Sequence, residues 1–355
     1  MYEPFNFSSQ RLIGGYEPQV QFPTPGLFKD LLLERLHAAP MSTTAAFAEL
    51  LRRIELNPDR VKEASQHYWT VKDWIESTLP GSLVKQVGSF QRHSKIRPAS
   101  LSRLQLFLAG HEDYTPIDMD ALVCVGNATT WAPPYQGIMP SDILGLVRRA
   151  LDSHGTYKMK AEIDSPTVTL SYANEFKIEL IPCFRDWTSL EAKLLSPPRY
   201  LVASEFGGWK LADYEYDAQY ITSINQSLNG RLIPGIKIVK AFIRNYGLPI
   251  KSFHVEIICA TMVTELLQSL EQAQLSWDYR HFFVTFLMVL PVVLRQPLAL
   301  PGSFSPPQQI APENAERLLY ALKTCTDLCL KLCALPDSQD SLDAWRVLIG
   351  YPFPS

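Results

Sequence analysis

Apolar residues recur with helical spacing toward both ends of the chain and with strand-like alternation between. Phe47, Leu50, Leu51 and Ile54 obey an i, i+3, i+4, i+7 rule. Asn57-Pro58 then offers a cap followed by a first-turn proline. Val61, Ala64, Tyr68, Val71 and Ile75 continue one apolar stripe until Pro80-Gly81 stops it. The period changes in LVKQV (83–87), IDMDALVCV (117–125), TYKMKAEI (156–163), TVTLSYA (167–173) and EFKIELI (175–181), all predicted strands. DILGLVRRAL (142–151) is a helix among them. Segments 215–228, 234–246, 252–270, 276–294 and 313–334 return to helical spacing, with the proline-rich loop 300–312 before the last. Residues 1–27 hold no period and read as an extended arm. Helices, then a mixed sheet, then more helices predict an α+β fold with a cleft between two lobes.

Composition narrows the class. The 355 residues are 46% hydrophobic and 19% charged, which suits a soluble globular chain. A net charge of −3 gives no general attraction to nucleic acid or an anionic membrane, so no strong binding to either is expected. The start, MYEPFNFSSQ, has neither the basic residues nor the apolar run of a signal peptide. FFVTFLMVLPVVL (282–294) is short for a bilayer and contains Pro291, so it reads as a buried helix ending near that proline. The six cysteines have no metal spacing. Cys325, Cys329 and Cys333 share one helical face and read as small core side chains, giving a reduced, cytoplasmic protein.

Three local features carry chemistry. Asp118 and Asp120 stand at i and i+2 of a predicted strand, so their carboxylates share a face. Like charges repel there, and a divalent cation with a taste for hard oxygen ligands would offset the cost. Gly88-Ser89 follows another predicted strand. The glycine permits a close turn, and the serine sets a hydroxyl and an amide where a phosphate could lie. A helix starting there would add N-terminal amides. Glu179 is a lone carboxylate in a later strand, KIELIP (177–182). Each has an ordinary alternative: solvated strand-end aspartates, a plain Gly-Ser turn, a surface glutamate. Their order along the chain says more than any one of them. His93, His111 and His254 have no metal spacing and receive no role.

In that order GSFQRHSKIRP (88–98), IDMDALV (117–123) and IELIP (178–182) resemble the catalytic core of polymerase-β-like nucleotidyltransferases. More narrowly, the chain is similar to the bacterial cGAS/DncV-like nucleotidyltransferases of anti-phage signalling. Gly88, Ser89, Phe90, Arg92, Ser94, Ile96, Arg97 and Pro98 match that family's loop signature. IPGIKIVKAFIRNYG (233–247) with KSFHVEIICA (251–260) resembles its helical lobe, and AWRVLIGYPFP (344–354) its C-terminal signature. Three departures stand out: Glu179 where the family mostly has Asp, Ser94 where Thr is common, and a longer stretch at 99–117 that reads as an insertion.

The resemblance implies a polymerase-β-like sheet core with N-terminal helices over 28–212 and a helical lobe over 213–355. It implies two Mg²⁺ ions, replaceable by Mn²⁺, on Asp118, Asp120 and Glu179, with Glu179 or Asp120 accepting a proton. Gly88, Ser89, Arg92, Lys240 and Ser252 would hold the triphosphate, and Phe253 would stack on a base. The residues alone leave other readings open: Arg92 could pair with a surface carboxylate, Lys240 could lay its stem along Ile236 and Ile243, and Phe253, on one helical face with Ile257, could be core. The implied activity joins NTPs, ATP among them, into a cyclic di- or trinucleotide second messenger with release of pyrophosphate. A separate effector protein, activated by that nucleotide, would be the partner. Two alternatives remain open: transfer to an RNA or protein acceptor, and a silent nucleotide-binding regulator.

Overall fold

The computed structural model describes residues 41–97, 117–126, 137–158, 160–172, 176–186, 194–195, 197–204, 207–294, 296–303, 305, 307, 310–333, 335, 338–350 and 353–354. The arm expected over 1–27, Pro98, His111 and most of the expected insertion lie outside the described residues.

Strands β1 (Leu83–Val87), β2 (Ile117–Cys124), β5 (Phe176–Arg185), β4 (Thr167–Ser171) and β3 (Ala161–Asp164) lie side by side in that order. Strands β6 (Tyr200–Ala203) and β7 (Trp209–Ala212) extend from β5. β2 and β5 run parallel, and the other described pairings are antiparallel. β5 runs past its predicted end, through Pro182. That proline falls where pairing with β4 has ended at Leu180 and pairing with β6 has yet to begin at Cys183. A missing N–H is tolerated at such a break. The strand expected from 156 begins only at Ala161, because turns occupy the residues before it.

Helices α2 (Pro58–Thr78) and α4 (Pro140–Asp152) cover one face of the sheet. Their apolar stripes, Tyr68, Val71 and Ile75 with Leu144, Val147 and Leu151, bury Met119, Ile178 and Leu180. The opposite face is apolar only in its later half, around Leu122, Cys124, Ile181 and Cys183. Its earlier half opens toward the helical lobe.

That lobe comprises α5 (Tyr214–Ser227), α6 (Leu232–Asn245), α7 (Ser252–Gln272), α8 (Tyr279–Val293), α9 (Pro312–Cys333) and α10 (Gln339–Ile349). The last helix was not among the predicted elements. α8 passes Pro291 and stops two residues later, and its phenylalanines are core. α7 is long and apolar enough to cross a membrane but lies mostly inside the lobe. Cys329 and Cys333 are buried with it. Helix α1 (Met41–Ile54) precedes the sheet in sequence yet packs into the helical lobe. Phe47 meets the rings of Trp345 and Phe353, each at 5.3 Å, so the C-terminal signature clamps the first described helix.

His254 on α7 is buried, and neither ring nitrogen has a hydrogen-bond partner among the described residues. Burial, with help from Lys251, lowers its pKa to about 4. The folded protein therefore holds a neutral imidazole, and the unfolded chain takes up the proton first as pH falls. The stability is complete above the unfolded pKa and is lost as pH drops through the folded value, by about 3 kcal/mol in all. Denaturant unfolding of wild type minus that of His254→Leu should slope between roughly pH 6.5 and 4. A flat difference would refute the assignment.

Candidate functional site

β2 and β5 supply the acidic floor. In their parallel register Asp118 lies abreast of Lys177 and Asp120 abreast of Glu179. Partners across a parallel pair point to the same side, so all four side chains face the open half of the sheet. The residues alternating with them, Ile117, Met119, Phe176 and Ile178, are buried under α2 and α4. The strand period thus fixes which face carries charge, and the core behind fixes which way it points.

Gly88 directly follows β1 beside this floor with φ +75°, a left-handed conformation that favours glycine. A methyl group on it would overlap Asp120 Oδ2 and come within 3.0 Å of Asp120 Cγ. The helix that follows, α3 (Gly88–Gln91), is a single turn, too short for the helix-end anion site expected from sequence. The loop is instead cinched onto Ser89, whose carbonyl accepts from the amides of Ser94 at 3.0 Å and Lys95 at 3.1 Å. Ser89 itself borders the cleft.

Two lysines missed by the sequence reading partner the carboxylates. Lys95 Nζ lies 3.3 Å from Asp118 Oδ2, and Lys177 Nζ lies 2.6 Å from Glu179 Oε1. Both were legible in part: Lys95 stands inside the quoted loop, and Lys177 is two residues before Glu179 on the same strand face. Among the described residues no lysine or arginine forms an ion pair with Asp120. Burial, with Glu179 and Asp118 adding to it and Lys95 and Arg92 opposing, raises its pKa to about 6.

No three carboxylate, imidazole or thiol groups among the described residues converge on one point as a ready metal cage. The donor set nevertheless suits a hard divalent cation. It offers three carboxylates on one face of two adjacent strands, the oxygen donors that such an ion prefers.

The far wall of the cleft, about 500 Å³ in volume, comes from α6, α7 and the turn between them. Lys240 and Ser252, both expected from sequence, line it together with Ile243, Arg244, Leu248 and Val255. Arg92 and Phe253, also expected there, do not. Arg92 is buried behind the wall with its guanidinium over the Phe253 ring, 5.1 Å from the centroid. The reason is Glu256, which the sequence reading overlooked. It is fully buried on α7 and takes Arg92 Nε at 2.5 Å, Ser94 Oγ at 2.7 Å and Lys240 Nζ. Burial alone would raise its carboxyl, but Lys240 and Arg92 outweigh that and hold it at about 2. A charge inside VEIICA was the available signal, since a carboxylate in so apolar a run needs a partner.

Residues 41–194 match the Second Messenger Oligonucleotide or Dinucleotide Synthetase domain, which spans α1, the sheet floor and the Gly88-Ser89 loop. The chain is thus similar to second-messenger oligonucleotide synthetases over its first described helix and sheet floor. It is 22% identical to a probable cyclic nucleotide synthase of Bacillus cereus strain VD146 over 284 residues, 76% of this chain and 81% of that one. The fold matches CdnC of E. coli MS115-1, solved with ATP, at a TM-score of 0.62 and 14% identity, over 88% of this chain and 98% of CdnC. It matches the Vibrio cholerae cyclic AMP-GMP synthase DncV, solved with a linear pppA(3′,5′)pG intermediate, at 0.62 and 10% identity, over 86% and 94% of the two chains.

Proposed function

We propose that this enzyme joins NTPs into a cyclic oligonucleotide in the cleft between sheet and helical lobe. The observation that carries the reading is the parallel register that sets Glu179 beside Asp120, with Asp118 on the same face and Ser89 at the rim. The printed names of the relatives, a cyclic nucleotide synthase and a cyclic AMP-GMP synthase, support the product class.

In the reaction a ribose hydroxyl oxygen of one nucleotide bonds to the α-phosphorus of another. The bond from that phosphorus to the bridging oxygen breaks, and pyrophosphate departs. A second such step, within the linear intermediate, closes the ring. Asp118, Asp120 and Glu179 would hold the divalent cations. Such ions supply Lewis acidity for the attacking hydroxyl and the leaving phosphates. Glu179, or Asp120 with its raised pKa, is placed to receive the proton of the attacking hydroxyl. Ser89 and Gly88 hold the phosphates at the rim through hydroxyl and amide, with Ser252 opposite them. Lys95 and Lys177, released from the carboxylates when cations bind, would remain as positive charge beside the triphosphate. The apolar wall of Ile243, Leu248 and Val255 offers a surface for a base. The product would act in the cytoplasm on a separate effector protein in anti-phage signalling.

The test is incubation of purified protein with labelled NTPs and Mg²⁺ or Mn²⁺, followed by phosphatase treatment and mass analysis. A phosphatase-resistant cyclic product that disappears with Asp118→Ala supports the reading. Label on RNA or protein instead of a free nucleotide would move the function to acceptor transfer. Metal-dependent NTP binding without turnover under any condition would make the chain a silent regulator.

A further inference from the structure

We propose that the start of α5 and the loop after α8 form a binding site for a divalent cation of the calcium class, held by Asp213, Asp217, Ser303 and Ser305. None of these residues lines the cleft, so the inference stands apart from the nucleotide reading.

Two buried carboxylates begin the case. Asp213 follows β7 directly as the N-terminal cap residue of α5, and Asp217 stands one turn further along. They are 3% and 4% exposed. Side chains four residues apart lie on one side of a helix, and like charges placed so, away from water, repel. The Asp213 side chain caps no amide of the helix. A second observation does not depend on their charge. Asp217 Oδ1 is buried and has no hydrogen-bond partner, where a buried carboxylate oxygen ordinarily has one. Burial raises the Asp217 pKa to about 6, with Asp213 adding to it and Ser303, Arg92 and Ser305 opposing.

The loop supplies neutral oxygens to the same place. Ser305 Oγ accepts from the Asp213 amide at 2.8 Å and donates to Asp217 Oδ2 at 3.3 Å. Ser303 Oγ accepts from the Ser305 amide at 3.1 Å. A hydroxyl oxygen has two lone pairs, so one stays available on each serine. The Ser305–Asp217 separation is long for oxygens sharing a proton, which usually stand about 2.7–2.8 Å apart. It suits neighbouring ligands of one ion: oxygens about 2.4 Å from the ion and at right angles stand about 3.4 Å from each other. The loop is also held in place. Tyr216 donates its hydroxyl to the Pro301 carbonyl at 2.8 Å. Gly302, at φ +77°, packs so closely on that tyrosine that a Cβ would come within 2.3 Å of its oxygen.

The mixed donor set selects the cation class. Ca²⁺ accepts carboxylates and neutral oxygens together in irregular geometry. Mg²⁺ demands a near-ideal octahedron and keeps several waters, for which carboxylates this deeply buried leave little room. A bound ion would pin the loop after α8 to the point where the chain passes from sheet to helical lobe.

The test uses the full chain carrying Asp118→Ala and Asp120→Asn, so that the acidic floor does not compete for the ion. Tb³⁺, a hard ion of calcium's size, emits when a tyrosine beside it is excited, and Tyr216 flanks the site. Tyrosine excitation should give Tb³⁺ emission that Ca²⁺ displaces and an equal concentration of Mg²⁺ does not. Adding Asp217→Asn should lower Ca²⁺ affinity by about a hundredfold and remove the rise in melting temperature that Ca²⁺ gives. Ser303→Ala, which takes one hydroxyl from a half-buried loop position, should weaken Ca²⁺ binding about tenfold and serves if Asp217→Asn fails to fold. Emission unchanged by either substitution, or displaced equally by Mg²⁺, overturns the proposal. So does the absence of both tyrosine-excited emission and a Ca²⁺-dependent thermal shift.

Discussion

Replacing Asp120 with Asn is expected to abolish nucleotide joining and, at the same time, to stabilise the metal-free protein. The first effect follows from position. Asp120 is the carboxylate flanked on one side by Asp118 along β2 and on the other by Glu179 across the parallel pair. On the proposed reading, loss of its charge removes a proposed cation ligand and a candidate proton acceptor together. A fall of at least about 10³ in kcat is expected, equivalent to roughly 4 kcal/mol of transition-state stabilisation. The second effect follows from the raised pKa of about 6, caused first by burial and then by Glu179 and Asp118. A carboxyl raised in the folded state contributes stability that is full below its unfolded pKa and is lost as pH rises through the folded one. At pH 7 the folded protein therefore carries an unfavourable charge, which costs on the order of 2 kcal/mol once partial solvent access is allowed for. Asp120→Asn removes that charge while keeping the shape. Its melting temperature without metal should exceed that of wild type at pH 7 and match it at pH 4. Mg²⁺ should raise the wild-type value and leave the variant unmoved. A variant that melts below wild type at pH 7, or keeps a tenth of its activity, would contradict this account of Asp120.

The second large effect belongs to a residue without a side chain. Gly88→Ala should cost activity by about 100-fold or more, because displacement of a catalytic group by about 1 Å has that order of effect. Gly88 has φ +75°, where any Cβ is strained, and the new methyl would occupy the place of Asp120 Oδ2. The loop can relieve the overlap only by moving Asp120 off the floor or by moving Ser89 away from the rim. A loss of folding stability of about 1–2 kcal/mol should accompany it, from the backbone conformation alone. The comparison variant is Ser89→Ala, which keeps the backbone and should fall less. The measurement is kcat together with Mg²⁺ affinity from the metal-dependent shift in melting temperature. If Gly88→Ala keeps both within a few-fold of wild type, the close approach of Gly88 to Asp120 does not organise the site.

Much of the acidic floor was legible because it rests on short-range periodicity. Asp118 and Asp120 share a face for the same reason that Met119 is buried between them: the strand period is two. Gly88 was legible because a sharp turn after a strand calls for positive φ. The helices of the second lobe were legible from their apolar stripes. The final helix was less legible because it is short, and its buried apolar positions Trp345, Leu348 and Ile349 make a single i, i+3, i+4 repeat. The short start of β3 was misjudged because alternation in TYKMKAEI satisfies a strand pattern while its first residues form turns.

The harder omissions were all cases of partner choice. Lys95 and Lys177 were plain in sequence as cations, but nothing local said that each would face a particular carboxylate. Arg92 looked like a phosphate ligand because of where it stands in the loop. Glu256, far along the chain and buried on α7, draws it behind the wall instead. Phe253 followed it there as the ring beneath the guanidinium.

The sequence by itself determined the elements, the facing of Asp118 with Asp120, and the need for glycine at 88, since these depend on backbone geometry within a few residues. Only the tertiary structure decided that Glu179 stands abreast of Asp120, that α1 joins the helical lobe, and that Glu256 binds Lys240, Ser94 and Arg92 together. Those depend on which apolar faces bury one another across distant parts of the chain. A local pattern specifies that a face will be buried, but not against what.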